Sequence, residues 1–431
     1  MRTMQSAVKL KGWMQAVVAV VLVAVVAACG GGGSGSNNNS SNALNGGSLP
    51  PSPTQQPIAA NAANTVPITV GAGVKGVINI PTVSVTVCPP GTTSNCQKID
   101  NIQVDTGSFG LRLVSSVVNT SLLPISTLSS GAQLAECATF ADGYTWGTVR
   151  TATVQIGGET TAGAIPIQII GDPAAGTIPA KGCGGGPAEN TASDLGANGI
   201  LGIGTAPTDC GATCANTATA ANYSNYFACP GGTSCARTAV PLNQQVANPA
   251  ANFAADNNGV IVQMPPILSN TGAPSATGTL VFGITPPGTQ SNNALAAAQT
   301  FTTDPFGDMN NSVYNGTTVQ AFLDSGSNAY FFADNSLALC TNFASFYCPS
   351  SAQTRSITLA GLNSTKASVS IGILSAATLF GNSSNYAFND LAGQIGGSSS
   401  FDLGLPFFYG RYVYYGFDQT LNGGQAPYVG F

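Results

Sequence analysis

Histidine is absent from all 431 residues. Ser-His-Asp and Cys-His nucleophiles need an imidazole base, and most catalytic zinc sites need imidazole ligands, so those mechanisms are excluded. Charge is scarce too: 7% of residues are Asp, Glu, Lys or Arg, the formal net charge is −5, and no basic cluster follows the first few residues. Nucleic acid is therefore not an expected partner. Long amphipathic helical patterns are missing, and the apolar run over residues 16–28 is shorter than the ~18 residues a membrane-spanning helix needs. What the chain does have is 53 Gly, 26 Pro and many short Val/Ile/Thr runs, a combination that points to an all-β body. Any proton transfer it performs has to use carboxylates, hydroxyls, amines or a bound cofactor.

Arg2, Lys9 and Lys11 precede the apolar run, which has the form of a signal peptide over residues 1–29. It ends at Val26, Ala27, Ala28 and Cys29, a sequence that resembles the lipobox of bacterial lipoproteins. The resemblance implies that Cys29 is lipidated and that the protein is exported and anchored to the cell envelope. Gly30 after the cysteine resembles sorting signals for the outer membrane. Residues 30–65 are mostly Gly, Ser, Asn, Ala and Pro, with no charge and almost no large apolar side chain, and are expected to be a disordered linker. The remainder is long enough for one large or two medium domains with real cores.

Ten cysteines remain besides Cys29, an even number that favours disulfides in an exported chain. Cys88 with Cys96, Cys229 with Cys235 and Cys340 with Cys348 are near enough in sequence to staple hairpins or loops. Cys137 with Cys183 and Cys210 with Cys214 complete one possible set. A zinc site built from Cys210, Cys214, Cys229 and Cys235 is the competing arrangement.

Residues 101–114 read as an apolar-alternating strand, a turn on Asp105, Thr106, Gly107 and Ser108, and a second apolar strand; residues 319–332 repeat that grammar around Asp324, Ser325, Gly326 and Ser327. One such turn is an ordinary β-turn, since Asp, Ser and Gly dominate turns. Two copies, each carrying a carboxylate out of a packed core at a strand end, call for a joint explanation. Two aspartates brought face to face cannot both ionise, so one becomes a base and the other an acid.

The chain resembles the pepsin family of aspartic proteases, whose catalytic pair is the type example of that effect. The match runs in order through residues 79–87, a long hairpin strand; 139–147 and 153–157, a flap hairpin; 198–204, an apolar-apolar-Gly strand threading beneath the first turn; 278–283, at the lobe junction; and 401–408, 412–418 and 429–431, the second-lobe counterparts. It implies an all-β, bilobal pepsin-like aspartic protease fold with a cleft between two β-lobes, at residues 66–285 and 286–431. It further implies Asp105 and Asp324 as a catalytic pair activating a water, hydroxyls of Thr106 and Ser325 locking the turns, and Ser108 and Ser327 bonded to the carboxylates. The expected activity is aspartic-type endopeptidase on a peptide or protein substrate, by a monomer with no cofactor and no metal. The resemblance also places Gly143 and Tyr144 in the flap.

Three departures bear on that activity. Phe140 stands where the family has a flap tyrosine, with Tyr144 or Trp146 as possible replacements. Arg112 stands where an aromatic is common and puts a charge at the expected cleft wall. Asp402 stands at an apolar position of the second threading strand, where the alignment could slip by one. The alternative function is a catalytically inactive envelope lipoprotein of the same fold, acting as a binding or structural protein. A repetitive β-sandwich surface protein fits the composition but leaves the paired turns unexplained. The loop over residues 172–186 and the Cys-rich insertion over residues 208–237 have no counterpart in the family pattern.

Overall fold

The computed structural model describes residues 48–173, 177–179, 183, 186–296 and 299–431. The expected signal peptide, lipobox cysteine Cys29 and first part of the linker lie outside the described residues. Strands dominate the regular structure of the described chain, and each described α-helix spans four residues. Period-two patterning drives this: in Pro81–Cys88, Val83, Val85 and Val87 are buried while Thr82, Ser84 and Thr86 are half-exposed.

The strands form one 16-stranded and one 7-stranded sheet, the two lobes of an all-β body. Each lobe carries the same three-strand device. In the first, Gly199–Ile203 lies between Gln97–Asp105, to which it is parallel, and Phe109–Val114, to which it is antiparallel. In the second, Ser400–Gly404 lies in the same way between Thr317–Asp324 and Tyr330–Phe332. The registers coincide: Gly202 stands opposite Asp105, and Gly404 opposite Asp324. Both aspartates thus end a strand whose last four residues are all buried and which is flanked by a threaded neighbour.

The lobes are joined at the back. Arg411–Gly416 pairs with Gly259–Met264 and Tyr428–Gly430, so the last strands of the chain return to the larger sheet. One buried apolar cluster runs through both lobes, from Ile102 and Val104 to Leu323 and Leu403. Asn79 adds a polar tie: its amide donates to Asn328 O (2.8 Å) and Phe388 O (2.9 Å), and its oxygen accepts from Phe388 N (2.8 Å) and the Tyr409 hydroxyl (2.9 Å).

The expected linker ends earlier than residue 65. From Ser48 onward the chain lies on the body: Thr354 donates to Ser48 O (2.9 Å), Gln55 N to Gly410 O (3.0 Å), and Ile58 N to Gln263 Oε1 (2.9 Å). Leu49 packs into the second lobe's core. A proline-rich segment loses little backbone entropy on docking, and its carbonyls and amides find partners on the sheet strands and their side chains. Composition alone had counted only how little side-chain surface it could bury.

All five proposed disulfides are formed. Cys210, Cys214, Cys229 and Cys235 are therefore paired as disulfides, which rules out the zinc arrangement. The Cys-rich insertion adds Tyr226–Cys229 to the edge of Gln133–Thr139, and Ala236–Arg237 beyond it. Cys137–Cys183 ties that same hairpin strand to the loop over residues 172–186. The hairpin is thus reinforced on both sides.

Candidate active site

The two Asp turns meet across the lobe boundary through four reciprocal hydrogen bonds. Ser325 N donates to Thr106 Oγ1 (2.8 Å) and Thr106 N to Ser325 Oγ (3.1 Å). Each hydroxyl then donates to the strand before the opposite turn: Thr106 Oγ1 to Leu323 O (3.2 Å) and Ser325 Oγ to Val104 O (2.8 Å). Tyr415 also donates to Leu323 O (2.9 Å), and burial pushes its hydroxyl pKa well up, so it remains a donor. Gln103 reaches over to Gly326 O (2.9 Å).

Within each turn the carboxylate is held in the same manner. Asp105 Oδ1 accepts from Gly107 N (3.0 Å) and Oδ2 from Ser108 Oγ (2.5 Å). Asp324 Oδ1 accepts from Gly326 N (2.8 Å) and Oδ2 from Ser327 Oγ (3.0 Å). Both aspartates are fully buried. Gly107 shows how near they come: a Cβ added there would sit 2.5 Å from Asp324 Cγ, while its own N–H holds Asp105. The two carboxyl groups flank one glycine that has no room for a side chain.

The model of one protein family, described as "Protein of unknown function (DUF3443)", matches residues 60–431. The chain belongs to the DUF3443 family. A search of curated proteins found no match for it. Among solved structures that resemble this DUF3443 protein is the aspartic proteinase from Irpex lacteus, with 17% sequence identity and a TM-score of 0.47. That alignment covers 86% of this chain and 96% of the other.

The remaining candidate residues of the DUF3443 chain fall into two places. Phe140 packs against Val114, Ile170, Leu195 and Ile200, and the Arg112 guanidinium stands 5.9 Å from its ring centre. Tyr144 and Trp146 belong to a different cluster, with Cys137, Phe227 and Cys229, so neither replaces the hydroxyl missing at Phe140. Gly143 closes the hairpin turn, where a Cβ would meet Pro187 O at 2.5 Å.

Arg112 is no open charge on a wall. It is 3% exposed, and its guanidinium meets Glu136 Oε1 at 2.6 Å and Asp209 Oδ2 at 3.4 Å and donates to Phe109 O at 2.7 Å. Asp402 involves no slip of alignment. Opposite Phe322, two residues before Gly404, it occupies the position that Ile200 holds in the first lobe. Glu136, Asp209 and Gln103 were not foreseen. The one signal for the first two was Arg112 itself, a cation in an apolar strand that has to have partners.

Proposed function

We propose that this protein is an aspartic-type endopeptidase that cleaves extended peptides with a water activated between Asp105 and Asp324. The observation that supports this reading is the meeting of the two turns on Gly107, with the carboxyls held symmetrically by Ser108 and Ser327. In the reaction, the ionised carboxylate takes a proton from water as the oxygen bonds to the peptide carbonyl carbon. The protonated partner gives its proton to the carbonyl oxygen, forming a neutral tetrahedral diol. Collapse breaks the C–N bond, the amine leaves with a proton from the pair, and a carboxylic acid remains. No metal or cofactor enters this scheme. Lipidation at Cys29 would hold the enzyme at the envelope, on the outer membrane, acting as a monomer on peptide or protein substrates.

Purified full chain in detergent should degrade an acid-unfolded protein, and pepstatin should block it. Absence of cleavage at every pH from acid to neutral rejects the reading. Complete burial of both carboxyls favours a second one, a closed and catalytically inactive envelope lipoprotein of the same fold. In that case pepstatin fails to bind at any pH.

A further inference from the structure

Arg112 stands in the strand Phe109–Val114, which leaves the first Asp turn directly. Its side chain folds back so that Nη1 donates to Phe109 O, the carbonyl next after Ser108, at 2.7 Å. The other terminal nitrogen meets Glu136 on the hairpin strand Gln133–Thr139 and Asp209 in the loop after Gly199–Ile203. Asp209 Oδ1 accepts from the Tyr226 hydroxyl at 2.5 Å, and that hydroxyl accepts from Val246 N at 2.6 Å. Thus the turn, the hairpin and the Cys-rich insertion, which share no continuous segment, converge on one guanidinium.

The charges do not balance. One cation faces two carboxyls that are in hydrogen-bonding contact, and all of them are at most 3% exposed. Glu136 Oε2 has no donor from a fixed N–H or hydroxyl among the described residues, and the Asp209 carboxyl stands in hydrogen-bonding contact with Glu136. The other facing groups are neutral: Gln168 donates to Glu136 O, and the Tyr226 hydroxyl is pushed well up by burial and by Asp209. For Arg112, burial favours the uncharged form, but Glu136 and Asp209 outweigh it and hold the guanidinium charged.

We propose that Arg112 is a positioning residue for the Asp105 turn, tying it to the hairpin and the insertion through the acid pair Glu136 and Asp209, in a tie that holds in acid and loosens as pH rises. The use of Arg112 for catalysis rests on the proteolytic reading; the tie itself does not. The sign follows from the charge count. Burial first, then the Glu136 charge, hold the Asp209 pKa well above the ordinary carboxyl range. A group raised on folding contributes stability that is complete below its unfolded pKa and is lost as pH rises through its folded one. When Asp209 ionises, two buried anions are left on one cation, and the hairpin strand is where the strain is relieved.

Amide hydrogen exchange on the full chain, corrected for the intrinsic effect of pH, tests this without needing activity. In the wild type, amides of Gln133–Thr139 and Tyr226–Cys229 should lose at least ~10-fold protection between pH 4 and pH 8, the effect of one pKa unit, while Thr317–Asp324 keeps its own. Asp209→Asn, which supplies a hydrogen that cannot titrate, should hold protection across the range, and Glu136→Gln should do so from the other side. Arg112→Lys should fail to restore what Arg112→Met loses, because one ammonium cannot reach three acceptors in that fixed geometry. On the activity side, Arg112→Met should lower kcat more than it raises KM, and Asp209→Asn should move the upper pH limb upward. Equal wild-type protection at both pH values, or pH-dependent loss in both neutral variants, overturns the tie. A tie confirmed by exchange in a protein that cleaves nothing leaves the inference standing and rejects only the proteolytic reading.

Discussion

Thr106→Val removes one hydroxyl and keeps the side chain's volume, so it probes the junction of the two turns with little disturbance of packing. The lost oxygen accepts from Ser325 N at 2.8 Å and donates to Leu323 O at 3.2 Å. Leu323 O keeps the Tyr415 hydroxyl at 2.9 Å, so the loss falls on the buried Ser325 amide, which is left facing a methyl group. An orphaned buried donor costs about 1–3 kcal/mol, and about 2 kcal/mol is expected here. Ser325→Ala is harsher, because Thr106 N and Val104 O lose their shared partner together. The double variant should cost less than the sum of the two by ~0.5–1 kcal/mol, since turns already parted by one change have less to lose by the other. Urea unfolding of the three variants at acid pH, with m-values unchanged, measures this. A cost below about 0.5 kcal/mol for Thr106→Val, or strict additivity, would refute the reasoning that the turns grip one another in a dry interface.

Three more outcomes follow from the same contacts. Gly107→Ala places a methyl carbon 2.5 Å from Asp324 Cγ, so the carboxyl has to move; peptide cleavage should fall by at least ~100-fold, read as kcat, while the thermal midpoint falls only a few degrees. Asn79→Ala strips four partners, at Asn328, Phe388 and Tyr409, from a buried site between the lobes. It should destabilise by at least about 3 kcal/mol in urea unfolding. Burial alone would raise Asp334, but Arg355 and Ser336 outweigh it and hold it down at about 2 against an ordinary 3.8. That stability is present above the ordinary value and is lost as pH falls through about 2, so Arg355→Met should cost about 2 kcal/mol at neutral pH and bring acid unfolding on at a higher pH.

The parts of this site that could be read from the sequence are those in which a short segment carries its own geometry. Asp105 and Asp324 each sit at a strand end with a hydroxyl and a glycine beside them, and their threading strands set Gly202 and Gly404 opposite them. Those patterns are local, and their repetition placed both turns. The short disulfides were legible for the same reason, through closeness along the chain. What escaped is long-range. Glu136 and Asp209 are 24 and 97 residues from Arg112, and nothing in their own neighbourhoods marks them as partners. Tyr144 and Trp146 were misjudged because an added strand, Tyr226–Cys229, gives their face of the hairpin an apolar cluster to join. The docked segment after Ser48 was invisible because its partners are backbone groups and side chains such as Gly410 O and Gln263 that come from far along the chain.

The central claim is that Asp105 and Asp324 act as one acid–base pair, and it is tested most directly by replacing each with asparagine in the full chain. The readout is cleavage of an acid-unfolded protein, with exchange protection of both Asp-bearing strands confirming that the variants fold. Each single variant should lose cleavage by at least ~10,000-fold across the whole pH range, because neither carboxyl can hold the shared proton alone. Wild-type cleavage that survives in either folded variant would contradict the account.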